Sequence, residues 1–382
     1  MKKLFYFGLL GLALYEIVNV YFIMPMPGSQ RMNSIGLAYF LYSYRWVFRI
    51  AFTLMIMIGS VDAFSTRRKW IPAVLVLPVL FIVYNFNFKM TADHMFLQPG
   101  NLAFKPKGEN TLTDSSIVVS VSHQGEAKAY PIRFIQYHHQ VRDTVGGKPV
   151  MVTYCNVCRT GRVFEPLVNG KPETFRLVGM DHFNAMFEDE TTGSWWRQAN
   201  GEAITGSLKG TMLPEVPSNQ VSLKMFFMLY PSGKVMAIED QFRKKYDSTG
   251  RYEKGRSRGQ LTRTDSLAWK DKSWVVGIDI DKYAMAYDWF DLKKLRAIND
   301  KVGDTPLVIV ISADDQSFAA FKRNAGETFT VQNDSLVSAM NRYDLAGRSA
   351  DGSKLEGVKV YQEFWHSWQT FHPNTGAYKP EF

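Results

Sequence analysis

The sequence predicts an α+β protein: a β-rich, duplicated extracytoplasmic domain preceded by three transmembrane helices. Three observations predict it. Apolar stretches at residues 4–24, 41–63 and 71–88 open the chain, each about long enough to cross ~30 Å of hydrocarbon. The rest runs in short β-type segments broken by Gly, Asn and Pro. One block of it is present twice.

The repeat is read by laying residues from Val118 over residues from Val275. Val118, Ala127, Tyr130, Asp143, Gly146 and Pro149 fall on Val275, Ala284, Tyr287, Asp300, Gly303 and Pro306, each 157 positions later and without a gap. Leu-Tyr-Pro-Ser-Gly at 229–233 is answered by Phe-His-Pro-Asn-Thr-Gly at 371–376. Two similar β-rich halves can cover each other's apolar faces. The second copy lacks particular residues: Cys155 falls on Ser312, Cys158 on Asp315 and His138 on Leu295. Shared residues read as scaffold, and unshared ones as a site carried by one copy.

In the membrane region, Lys2 and Lys3 precede the first stretch, and Arg67, Arg68 and Lys69 separate the second from the third. Cytoplasmic loops collect Lys and Arg, so the N-terminus is expected in the cytoplasm and the domain after about residue 89 beyond the inner membrane. A signal peptide is the competing reading of the first stretch, but no small-x-small cleavage site follows it and Glu16 interrupts it. Glu16, Arg45 and Arg49 are costly in lipid unless paired. At about 1.5 Å per residue, Glu16 and Arg49 reach similar depth, which predicts an ion pair between spans.

Residues 1–90 are therefore read as the transmembrane region and 91–116, with Pro99-Gly100 and Gly108, as a linker. The first repeat takes 117–240 and the second 273–382, with short helices expected over 132–141 and 289–298. Between the repeats, 241–272 is dense in Lys, Arg, Asp, Ser and Gly, which predicts an exposed, mobile loop. The net charge of +9 is spread along the chain, at the membrane flanks and in that loop, so no nucleic-acid partner is expected. The expected partner is the lipid bilayer.

The chemistry concentrates in residues 130–164, which hold both cysteines of the chain and the adjacent His138 and His139. Alternating Val150, Val152 and Tyr154 predict a strand that delivers Cys155 and Cys158 to its end. Cys-x-x-Cys points two thiolates at one ion, but tetrahedral zinc needs four ligands. Soft Cu(I) accepts two or three thiolate, thioether or imidazole ligands, and His138, His182, Met180 and Met186 lie near in sequence. The expected metal site is therefore Cys155, Cys158 and His138, holding copper or another soft ion. Thiol–disulfide exchange and a static turn stay open as alternatives; exchange needs an exposed cysteine beside a positive charge such as Arg159. Trp195 and Trp196 are expected in the core, and His366 and His372 as hydrogen-bonded structural groups. No Ser-His-Asp order, phosphate loop or dinucleotide fingerprint points to a hydrolase or a nucleotide enzyme.

Ala129-Tyr130-Pro131, His138, Asp143, Thr153-Tyr154-Cys155 with Cys158, and Asp189, Thr192, Ser194, Trp196 and Gln198 spaced as D-x-x-T-x-S-x-W-x-Q share an order. In these motifs and a closing Phe-Trp-x-x-Trp-x-x-Phe-x-Pro, the chain resembles the bacterial family called domain of unknown function 3179. The resemblance covers most of the chain after Ser116 and implies a fold family, not an activity. Where members carry Trp, Glu and Asn in the helix, this chain has Tyr137, His139 and Arg142, and Asn156-Val157 replaces Pro-Leu between the cysteines.

Overall fold

The computed structural model describes residues 1–380. They divide into two compact units, one of residues 1–97, 173–197 and 202–212, the other of 98–172, 198–201 and 213–380. The protein is α+β, and β-rich after its N-terminal helices.

In the first unit the helices Lys2–Tyr21, Arg45–Phe64 and Trp70–Phe88 are each long and apolar enough to cross a membrane. Small residues let the first two approach closely. A Cβ on Gly59 would lie 2.3 Å from the Phe5 backbone nitrogen, and one on Gly8 2.8 Å from Ile56. The expected ion pair is present: Arg49 Nε donates to Glu16 Oε1 at 2.7 Å and Nη2 to Oε2 at 2.9 Å, while Asn87 Nδ2 also donates to Glu16 at 3.0 Å. The same unit holds an antiparallel sheet of Phe175–Asp181, Asn184–Asp189 and Trp195–Arg197. Its Asp189 carboxylate gathers Thr192 N, Thr192 Oγ1, Ser194 N and Trp196 Nε1 at 2.6–3.1 Å. That gives the D-x-x-T-x-S-x-W spacing a structural cause: one buried carboxylate closes the turn. Trp195 and Trp196 are fully buried, as expected.

The second unit contains strands Ile117–His123 and Glu126–Pro131, helix Ile132–His138, then strands Gln140–Val145, Lys148–Cys155 and Thr160–Phe164. The same order follows at Trp274–Ile280, Tyr283–Asp288, Trp289–Leu295, Ala297–Val302, Thr305–Ile311 and Phe318–Lys322. Each first hairpin takes a third strand on its outer edge, Ser218–Ser222 beside the first and Tyr361–Phe364 beside the second. Each of those strands leads into a seven-residue helix, Leu223–Leu229 or Trp365–Phe371. Hydrogen bonds recur with the elements. Tyr130 donates to Asp143 at 2.7 Å and Tyr287 to Asp300 at 2.8 Å, and both rings are fully buried. A buried phenol needs such an acceptor.

Two expectations need correction. The helices expected over 132–141 and 289–298 stop at His138 and Leu295. His139 and Arg296 take φ of 60° and 65°, which ends the helix and starts the next strand. Residues 241–272 are also not simply an exposed loop: Phe242, Tyr246, Tyr252, Glu253 and Lys272 are buried. A few large anchors suffice to dock a segment whose average composition is polar. Within the linker, Phe104–Lys105 pairs with Lys234–Met236.

Glu253 makes this docking pH-sensitive. Burial raises its carboxyl from 4.5 to about 7, against hydrogen bonds from the backbone of Arg133 and Ile117. A raised folded-state pKa stabilises fully below the unfolded value and is lost as pH rises through the folded one. Unfolding of the full chain in detergent should therefore become easier between pH 4.5 and 7 by about 3 kcal/mol from this group. Glu253→Gln should flatten that part of the pH profile; an unchanged profile refutes the assignment.

Candidate functional site

Cys155 ends its strand and Cys158 closes the following turn, both as fully buried free thiols. Gln198, the last residue of the spaced motif, pins this hairpin: its Nε2 donates to Thr153 Oγ1 and to Thr160 O, each at 3.0 Å. The far side of the turn is covered by residues more than a hundred positions away. Phe364 N donates to Cys158 O at 2.9 Å. Ser367 and Cys155 are side-chain hydrogen-bond partners of the Cys158 thiol. The Lys272 ammonium donates to Val157 O at 2.7 Å and to His366 Nε2 at 3.0 Å.

A buried ammonium here stands beside two buried thiols. Burial, and then the neighbouring Cys155, pushes the Cys158 thiol well above its ordinary value. Burial holds Lys272 below its ordinary value, while negative charge on Cys158 and Cys155 would raise it. His366, buried and beside Lys272, drops to about 3 and accepts the ammonium proton as neutral imidazole. The charge states of lysine and cysteines are thus linked: negative charge on the sulfurs, like that of Asp271 and Asp265, favours the buried ammonium.

Two buried arginines frame the turn without serving it. Arg159 Nε donates to Gln362 at 2.9 Å, Nη2 to Glu253 O at 3.1 Å, and the guanidinium lies 3.5 Å from the Trp274 ring centre. Arg162 pairs with Glu363 at 2.6 Å, and Glu363 also accepts from Ser367 Oγ at 2.8 Å. His138 has its Nε2 2.6 Å from the Tyr246 hydroxyl and its ring edge-on to Phe242. The His139 Nδ1 lies 3.1 Å from Tyr154 O, and burial lowers its pKa to about 4. Among the described residues no three His, Cys, Asp or Glu side chains are grouped to hold a metal ion. Met180, His182 and Met186 belong to the other unit. His372 stacks on Trp368.

Sequence reasoning missed Lys272, Glu363 and Ser367, and read His366 as structural only. One available signal singles out the lysine. At the offset that aligns the two segments, Ser116 falls on Ser273 and Ser115 falls on Lys272. The backbone supports that alignment, since Leu223 N donates to Ser116 O at 2.8 Å and Trp365 N to Ser273 O at 2.9 Å. Lysine therefore stands only where the cysteines are. Where the second segment has Ser312, Asp314 and Asp315, an open cavity of about 250 Å³ lies beside Ser115.

No curated protein and no solved structure matches the chain. A family does match, across the β-rich region and the cysteine turn alike, and by residues 100–375 the chain belongs to the family described as protein of unknown function (DUF3179).

Proposed function

We propose that this is a membrane-anchored protein whose duplicated extracytoplasmic domain binds a soft monovalent ion, Cu(I), through the Cys155 and Cys158 thiolates. The observation that carries this is the Lys272 ammonium, nine-tenths buried against the cysteine turn. Two thiolates on Cu(I) leave one net negative charge, which one ammonium neutralises. A disulfide or two neutral thiols place no anion on the sulfurs for that ammonium to face. The donor set fits: Cu(I) accepts two thiolates, whereas zinc needs four ligands. His138 is replaced in this reading by Lys272, because its imidazole already bonds Tyr246.

The recurring element order and hydrogen bonds support a duplication, and the Lys and Arg flanks of the three helices support an N-terminus on the cytoplasmic side. Thiol–disulfide exchange is the second reading, favoured by the direct hydrogen bond between the thiols. Complete burial of both weighs against it, since exchange needs an accessible sulfur.

The test is anaerobic Cu(I) titration of the detergent-solubilised full chain against a chromophoric chelator. The wild type should compete for one ion per chain; Cys155→Ser and Cys158→Ser should lose it; His138→Ala should keep it. Equal uptake by wild type and the double serine variant would sink the reading.

A further inference from the structure

Away from the cysteines, the first unit has a cavity of about 200 Å³ where the C-terminal ends of helices Lys2–Tyr21 and Trp70–Phe88 meet the N-terminal end of Arg45–Phe64. If those helices span a membrane, the cavity lies at one surface of it. Its charges pair off unevenly. Arg49 is matched by Glu16 at 2.7 Å, and Arg176 by Glu188 at 2.7 Å. Arg45 has no carboxylate partner among the described residues. Arg45 donates to the Tyr42 carbonyl at 2.8 Å and stacks on the Tyr42 ring. Asp93 lies 3.3 Å from Arg176 and 3.2 Å from His94 Nδ1, and keeps its negative charge at the cavity wall.

A third observation asks for a hydrogen-bond donor. Asn19 lines the same cavity, is 8% exposed, and its buried Oδ1 has no partner. A buried acceptor left unpaired costs about 1–3 kcal/mol. The two helix C-termini add partial negative charge there, and the N-terminus of Arg45–Phe64 adds partial positive charge on the Arg45 side.

We propose that this cavity binds a zwitterionic phospholipid headgroup with a primary ammonium, as in phosphatidylethanolamine. The phosphate sits against Arg45, and the ammonium donates to Asn19 Oδ1 and faces Asp93. Phosphatidylcholine has the same charges but no N–H, and phosphatidylglycerol has no cation. The pocket therefore discriminates among headgroups by chemistry, not by overall charge.

The proposal rests on the membrane reading, so alkaline carbonate extraction of membranes comes first. A chain that is released refutes the anchoring and the lipid site with it. For a retained chain, native mass spectrometry of delipidated full-length protein titrated with each lipid decides. The ethanolamine lipid should bind about tenfold tighter than the choline lipid, in line with one hydrogen bond from a charged donor. Stepwise N-methylation of the headgroup should lower affinity progressively, a test that needs no variant. Asn19→Leu should bring the ethanolamine lipid down to the choline value, and Arg45→Gln should weaken both. Equal binding of all three lipids overturns the proposal, as does soluble phosphoethanolamine binding as tightly as the lipid.

Discussion

Lys272→Met is expected to weaken Cu(I) binding by about 10–100-fold, the range found when a charged or hydrogen-bonding neighbour of metal ligands is removed. The reason is charge. Without the ammonium, the two-thiolate complex keeps a net negative charge inside a site where both sulfurs are fully buried. The metal-free protein should respond in the opposite sense. Methionine keeps the length of the side chain, loses hydrogen bonds to Val157 O and His366, and sheds the cost of burying a cation. Its unfolding midpoint should therefore stay near the wild-type value or rise, while affinity falls. A merely structural lysine predicts the reverse pattern, lower stability with unchanged copper binding. The two measurements together separate the readings.

Glu363→Leu is expected to destabilise the protein by about 3–5 kcal/mol, because it strands a buried guanidinium. Arg162 and Glu363 are 4% and 1% exposed, so solvent screens neither. Leucine also removes the acceptor of Ser367 Oγ, next to the Cys158 thiol. Urea unfolding of the full chain in detergent reads the loss. The paired change Arg162→Met with Glu363→Leu should recover most of it, since no lone charge is then buried. A single variant as stable as wild type would mean that the Arg162 charge is solvated by another route.

What could be read from the chain alone follows from how local each signal is. The Glu16–Arg49 pair was legible because a charge in an apolar span has few outcomes and helical rise sets its depth. The strand that ends at Cys155 was legible from alternation, and the Tyr130–Asp143 and Tyr287–Asp300 bonds sit on residues the two segments share. The early helix stops at His139 and Arg296 were not, because positive φ at a non-glycine residue leaves little trace in composition. Residues 241–272 misled for a related reason. A polar average hides Tyr246, Tyr252 and Glu253, which are buried and bond His138, Tyr154 and Arg133, residues far off in sequence.

The site was half legible. Cys155 and Cys158 announce themselves, but the residues that decide their chemistry arrive from Lys272 and from the strand and helix Tyr361–Phe371, more than a hundred positions later. Sequence proximity favoured His138, whose ring the fold turns to Tyr246. Comparing the two segments position by position would have found Lys272 opposite Ser115, which is a better guide here than nearness along the chain.

X-ray absorption at the copper edge of the Cu(I)-loaded full chain tests the central claim most directly. The account predicts two sulfur neighbours and no imidazole nitrogen, with the same shell in His138→Ala. A nitrogen ligand from histidine, or a shell of oxygen and nitrogen alone, would contradict it.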